Sequence, residues 1–319
     1  MSDRSPASGT SLPIDLSVVV PALNEAESLP ELVQRIADGA SAAGVSHEVW
    51  IIDDGSTDDT STVVDRLRAD HPELHLIEFT RNYGKAAALS AGFEAAAGRF
   101  VITMDADLQD DPAEIPELLA KLDQGWDLVS GWKRDRLDSF IKNNTSKIFN
   151  GVTSRAVGLK LHDYNCGLKA YRREVCKAVR LYGEMHRYIP AQAHLQGFRV
   201  TEMPVRHHRR KHGETKYGAN RFLNGFLDLL TLLFLSRRAT SPLHLFGRMG
   251  ALFSVAGGGI LVWFLVQWFM GEGLRIRPLM LLGVTFIILA VQFVSLGLVA
   301  ELVVAGHRPE SEYRVRRRV

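Results

Sequence analysis

Cysteine is nearly missing from this chain. Two thiols, Cys166 and Cys176, in 319 residues exclude a disulfide-rich secreted scaffold and read as packing residues. An excess of one charge is missing as well. Lys and Arg number 38 against 36 Asp and Glu, a net charge of +2, so whole-chain charge gives no argument for a nucleic-acid partner. Residues 1–13 hold no apolar core segment, so no signal peptide is expected. Internal repeats and low-complexity tracts are absent. With 46% hydrophobic and 23% charged residues, global disorder is excluded.

The hydrophobicity is concentrated near the end of the chain. Stretches 249–270 and 278–300 contain no charged side chain. At a rise of about 1.5 Å per residue each reaches about 30 Å, enough to cross the hydrocarbon core of a bilayer. The alternative is a pair of buried core helices, which are usually shorter than about 18 apolar residues. The connecting loop 271–277 is short, so both outer ends emerge on one side. That loop holds Arg275 and Arg277, whereas the other side holds Arg237, Arg238, Arg248, Arg308, Arg314, Arg316, Arg317 and Arg318. This bias predicts an integral membrane protein with both termini cytoplasmic. Trp263 and Trp268 suit the far interface. Upstream, Arg221, Asn224, Asp228 and Thr231 recur at three- and four-residue steps among leucine and phenylalanine. A helix over 220–236 with so narrow a polar stripe either lies in the membrane interface or packs on its own domain.

The first two thirds of the chain alternate between two periodicities. Short apolar runs at 16–20, 49–52, 74–79 and 100–104 predict strands, and the spacing predicts helices over 29–40, 85–97 and 115–122. Ser56 and Asp59 read as a capping box for a helix ending at 67. The alternation predicts a parallel sheet covered on both faces.

Polar residues then fall at the carboxyl end of each predicted strand. They are Asn24 and Glu25, Asp53 and Asp54, Arg81 and Asn82, and finally Asp105, Asp107 and Gln109. In an open parallel sheet that edge binds ligands. Asp105 and Asp107, one residue apart, repel unless a cation or a proton lies between them. Mg²⁺ or Mn²⁺, shared with substrate phosphates, is the natural occupant, with Gln109 as a neutral oxygen donor. The other reading is a pair of aspartates capping the next helix. A calcium loop of EF-hand type is excluded, because Asp110 stands where it needs glycine. Asp53 and Asp54 either accept hydrogen bonds from a nucleotide's base or ribose, or close a capping turn. Arg81, Asn82, Gly84 and Lys85 favour an anion such as a diphosphate at a helix start, or form a solvated helix end.

Four segments then carry a family resemblance: Val20-Pro21-Ala22-Leu23-Asn24-Glu25, Asp53-Asp54-Gly55-Ser56-Thr57-Asp58, Arg81-Asn82-Tyr83-Gly84-Lys85 and Asp105-Ala106-Asp107-Leu108-Gln109-Asp110. In order and spacing they resemble family-two inverting glycosyltransferases, over about residues 16–216. Within that family they resemble the polyprenyl-phosphate branch, similar to dolichol-phosphate mannosyltransferase. The resemblance implies an α/β, GT-A-type (Rossmann-like) nucleotide-diphospho-sugar transferase domain, an interfacial helix and two transmembrane helices. The implied plan is a flexible tail to 14, a cytoplasmic transferase domain over 15–218, an interfacial region over 219–244, a hairpin over 245–305 and a basic cytoplasmic tail from 306.

The resemblance also implies a donor of GDP-mannose or UDP-glucose type, a polyprenyl or dolichyl phosphate acceptor, Mg²⁺ or Mn²⁺, and transfer of one sugar with inversion. It admits a homotetramer and involves no nucleic acid. By position, Pro21, Ala22, Asn24, Glu25, Asp53, Asp54, Asp105 and Ala106 surround the nucleotide sugar, and Lys85 approaches the diphosphate. Asp105, Asp107 and Gln109 hold the metal. Asp163, in His162-Asp163-Tyr164-Asn165-Cys166-Gly167, matches an aspartate proposed as catalytic base. A phosphate monoester is already largely ionised at pH 7, so a role in orienting the acceptor or a sugar hydroxyl is preferred for it.

The acceptor phosphate is assigned to Lys133, Lys142, Ser146, Arg210, Thr215 and Lys216. Lys133 and Lys142 stand where relatives often carry arginine, giving point charges in place of a bidentate fork. The basic run 206–216 also suits attraction to anionic lipid. A processive synthase of this fold would carry a Gln-x-x-Arg-Trp motif, which is absent. A nucleotidyltransferase would need neither hairpin nor basic run, and a membrane scaffold would leave the polar clusters unexplained.

Overall fold

The computed structural model describes residues 14–134, 150–151, 153–155, 157–208, 242–271 and 278–306. It forms two compact units, Met1–Leu232 and Leu233–Val319. In the first, the apolar runs become strands β1 (Leu16–Ala22), β2 (His47–Asp53), β3 (Leu74–Glu78) and β4 (Phe100–Thr103). Helices α1 (Leu29–Ala43), α2 (Thr60–Leu67), α3 (Lys85–Ala95) and α4 (Ile115–Asp123) follow them in turn. These four strands are parallel, with Ala22 opposite Asp53, Val19 opposite Thr103 and Asp53 opposite Glu78. Leu16, Val18, Val19 and Val20 of β1 are fully buried, as a strand covered on both faces requires. α1 supplies much of one cover through Leu29, Leu32, Val33 and Ile36, each large aliphatic worth roughly 1.5–3 kcal/mol on burial.

The wholly parallel sheet expected from the sequence is corrected to a mixed one. Strands β5 (Leu128–Lys133), β6 (Lys169–Arg172) and β7 (Val200–Val205) extend it to seven, in the order β3-β2-β1-β4-β6-β5-β7. β6 runs antiparallel to β4 and β5, while β5 and β7 are parallel. The reversal brings the start of β6 to the edge where β4 ends: Lys169 lies opposite both Thr103 and Ser130. Helices α5 (Arg173–Ala178) and α6 (Ile189–Leu195), with the 3-10 turn Met185–Tyr188, follow β6.

The capping box is corrected too. α2 begins at Thr60, whose N–H donates to Asp58 at 3.1 Å, while the Ser56 hydroxyl accepts from Asn24 N–H at 2.9 Å. Ser56 therefore ties two loops together instead of starting a helix. A buried network unforeseen in the sequence fixes the opposite edge of the sheet. The Glu48 carboxylate accepts from the Ser17 hydroxyl at 2.6 Å and Ala97 N–H at 2.7 Å. Ser17 in turn accepts from Gly98 N–H at 2.8 Å. Pairing of this kind offsets the cost of burying a carboxylate.

The second unit is a pair of long helices, α7 (Pro242–Phe269) and α8 (Pro278–Gly306). α7 starts within the region expected to be interfacial and includes Arg248. Phe253 stacks on Phe293 at 5.5 Å and meets Phe286 edge-on at 5.4 Å. At the open end, Leu243 N–H donates to the Glu301 carboxylate at 3.3 Å, which places an anion at a helix N-terminus. Only 17% and 11% of the most apolar windows of these helices are buried, with mean hydropathies of 2.0 and 2.5. Leu252, Phe269, Met270 and Leu302 are mostly exposed. A soluble core would have covered them, so these are candidate membrane spans. The terminal tails, residues 219–241 of the interfacial region and loop residues 272–277 lie outside the described residues.

Candidate active site

The loops after β1, β2 and β3 brace one another with the polar residues expected to bind a nucleotide. Asn24 holds a left-handed backbone (φ 56°), and its side-chain oxygen accepts from Thr57 N–H at 2.7 Å. Glu25 accepts from the Ser28 hydroxyl at 3.1 Å. The buried Asp53 carboxylate accepts from Ser56 N–H at 2.9 Å. Asp54, also buried, accepts from Tyr83 N–H at 2.7 Å and Gly84 N–H at 2.9 Å. Two amides at the start of α3, where an anion was expected, are thus already occupied by Asp54. Ala22 and Ala106 are buried, and Pro21 lines a cleft at this edge.

The acid loop 105–111 is held from both sides. Asp110 is completely buried and accepts from Asp105 N–H at 3.3 Å, while its other oxygen lies 3.0 Å from the Lys133 ammonium. Lys133, expected to meet the acceptor phosphate, is therefore turned inward beneath the acid loop. Asp111 accepts from Ala113 N–H at 3.1 Å and Arg35 at 2.9 Å, and lies 3.1 Å from His208 Nε2. The Asp107 carboxylate accepts from Gln109 N–H at 3.2 Å, and the Gln109 carbonyl accepts from His208 N–H at 2.9 Å. Leu108, at φ 60°, takes the left-handed turn between them.

Asp105 is paired with a cation as Asp110 and Asp111 are, since the Lys85 ammonium bonds directly to its carboxylate. Burial alone would raise the Asp105 pKa, but Lys85, Lys133 and Lys169 outweigh it and hold the carboxyl well below its usual range. Lys133 shows the converse: burial opposes its charge, and Asp110 and Asp105 hold the ammonium firmly protonated. Gly167 permits this crowding, because a Cβ there would sit 2.6 Å from the Asp105 carboxylate.

Among the described residues no three His, Cys, Asp or Glu side chains converge as a metal site. The expected set of two aspartates and a glutamine is a hard-oxygen one suited to Mg²⁺ or Mn²⁺. The ammonium on Asp105 marks the place where a cation is favoured, so these residues fit such an ion.

Beyond Asp105 lies a wall that sequence reasoning missed. Lys85, Asp105, Asn165, Gly167, Lys169 and His186 share the cleft. Lys169, buried at the start of β6, donates to the Cys166 carbonyl, and burial lowers its pKa. The same burial, with Lys85, Arg187 and Lys169 nearby, lowers the His186 pKa to about 2, so its ring is neutral. Asp163 is buried, with its carboxylate accepting from Asn165 N–H at 3.0 Å. Cys166 and Cys176 are free and buried, as expected of packing residues. A lysine inside an apolar run was the only available signal for Lys169, and nothing in the sequence distinguishes His186. Lys142, Ser146, Arg210, Thr215 and Lys216 lie outside the described residues.

A mixed seven-stranded sheet with an acid loop, a facing lysine and a cleft on its ligand edge defines a GT-A-type transferase domain. Residues 17–180 match the model of Glycosyl transferase family 2. Over 309 residues the chain is 38% identical to dodecaprenyl-phosphate galacturonate synthase of Rhizobium johnstonii, covering 93% of this chain and 91% of that one. The chain belongs to glycosyl transferase family 2.

Solved structures share its fold at lower identity. Glucosyl-3-phosphoglycerate synthase from Mycobacterium tuberculosis, in complex with Mn²⁺, UDP and phosphoglyceric acid, superposes with a TM-score of 0.53 at 20% identity. The match covers 69% of this chain and 78% of that one. Mannosyl-3-phosphoglycerate synthase from Rubrobacter xylanophilus gives 0.54 at 15% identity, covering 69% and 73%.

Proposed function

We propose that this protein transfers one sugar, with inversion, from a nucleoside-diphosphate sugar to a polyprenyl or dolichyl phosphate at the cytoplasmic face of a membrane. The observation that carries this reading is the presence in one chain of a charged cleft at the ligand edge of the sheet and two apolar helices with exposed outer faces. An isoprenoid leaves the bilayer only at a cost of about 0.8 kcal/mol per CH₂, so its transferase must work at the membrane surface. Near-full-length likeness to a dodecaprenyl-phosphate galacturonate synthase supports the acceptor class and makes a uronic-acid donor the first to test, alongside GDP-mannose and UDP-glucose.

Asp105, Asp107 and Gln109 would hold Mg²⁺ or Mn²⁺, which supplies Lewis-acid neutralisation of the departing diphosphate. Pro21, Ala22, Asn24, Glu25, Asp53, Asp54 and Ala106 shape the nucleotide side. Lys85 leaves Asp105 to meet the diphosphate. Lys142, Arg210 and Lys216, with Lys133 acting from beneath the acid loop, offset the repulsion between incoming phosphate and donor, and Ser146 and Thr215 donate hydrogen bonds to that phosphate. The acceptor phosphate is already ionised, so buried Asp163 orients groups near the sugar instead of removing a proton.

The test is incubation of the purified protein with dodecaprenyl phosphate and labelled UDP-galacturonate, GDP-mannose or UDP-glucose, with and without a chelator. One sugar per lipid, lost with the chelator, is expected. A polymer, a lipid carrying the nucleotide itself, or no lipid-linked sugar from any donor would overturn the reading.

A further inference from the structure

Two nitrogen groups in the cleft have no role in the reading above. Lys169 carries three N–H donors in a buried position where the Cys166 carbonyl takes one. His186 has a buried Nδ1 with no hydrogen-bond partner. Both line the same cleft as Asp105, and an unpaired buried polar atom is costly unless a ligand completes it.

The sheet order says which part of a donor lies over them. Along the edge run β2, β1, β4, β6 and β5. Asp53 ends β2, Ala22 ends β1, the acid loop leaves β4, and Lys169 opens β6 in register with Thr103. With the nucleoside over β1 and β2 and the diphosphate at Asp105 and Lys85, the next group along the edge is the sugar, over β6. The acceptor side, at Lys133 of β5, lies beyond it.

We infer that Lys169 and His186 form the floor of the donor-sugar subsite, donating to and accepting from the oxygens of the sugar ring's substituents. The neutral imidazole suits a hydroxyl, which both gives and takes a hydrogen bond. The ammonium suits any oxygen acceptor, a hydroxyl or a uronate carboxylate. This inference rests on the donor reading proposed above and goes further by assigning the sugar to two residues.

The measurement is the ratio of dissociation constants for UDP-galacturonate and UDP, with Mn²⁺, on full-length protein in detergent. Taking a ratio cancels changes in nucleotide or metal affinity. Lys169→Met and His186→Ala are each expected to weaken UDP-galacturonate about tenfold relative to UDP, the effect of one lost hydrogen bond. UDP binding also reports an intact edge, and His186→Ala carries the test if Lys169→Met does not fold. An unchanged ratio in variants that still bind UDP overturns the inference alone. A wild-type protein that binds none of UDP, UDP-galacturonate, GDP and GDP-mannose overturns the donor reading beneath it.

Discussion

Removing Lys85 should strengthen metal binding while it weakens transfer. The Lys85 ammonium occupies the carboxylate expected to take the divalent ion, so the protein's own cation competes with the metal. The two side chains are 34% and 33% exposed, so the pair lies between an exposed ion pair worth up to about 1 kcal/mol and a charged hydrogen bond worth about 1.5–3 kcal/mol. Taking about 1–2 kcal/mol, Lys85→Met should tighten Mn²⁺ binding in the absence of donor about five- to thirtyfold. Lys133 and Lys169 still face Asp105, so its carboxylate stays ionised. Mn²⁺ titration followed by electron paramagnetic resonance reads the affinity directly. Lys85→Arg, which keeps the cation, serves as the control and should stay near wild type. Unchanged or weaker Mn²⁺ binding in Lys85→Met would refute the competition.

Gly167→Ala should cut turnover about a hundredfold with little change in melting temperature, because the added methyl displaces the Asp105 carboxylate and misplacement by about 1 Å is that costly; wild-type turnover would show that Asp105 needs no such placement. Lys133→Met should cost about 3–5 kcal/mol in denaturant unfolding by leaving Asp110 buried and unpaired, with much of it recovered in the double variant with Asp110→Asn. A raised acceptor requirement at full stability would assign Lys133 to the phosphate alone. In the helical hairpin, Gly257→Leu should destabilise the protein in detergent by about 1–3 kcal/mol, since a Cβ there meets the Gly283 carbonyl at 2.7 Å, whereas Gly258→Leu points into open space. Equal effects of the two would contradict the packing.

The left half of the sheet was legible because each of its strands carries a short, mostly apolar run followed by a helix. The right half was not. β6 has four residues and begins with a buried lysine, and its reversed direction follows from pairing with β4 and β5, which no local pattern encodes. The site divides in the same way. Asp105 and Lys85 were singled out at one edge, but their direct bond joins residues that only the fold brings together. Asp53 and Asp54 were singled out as ligand-binding carboxylates, and composition does not distinguish that role from the bracing of Ser56, Tyr83 and Gly84 amides. The apolar helices were legible by length, while their packing through Gly257 and Gly283 depends on which faces meet.

The central claim is that a divalent cation and a sugar diphosphate meet at the acid loop. It is tested most directly by a structure of the full-length protein with Mn²⁺ and UDP-galacturonate bound. Cation density on Asp105 and Asp107, the diphosphate against it and Lys85 withdrawn from Asp105 is the predicted result. A nucleotide bound elsewhere, with Lys85 still seated on Asp105 and no cation at the acid loop, would contradict it.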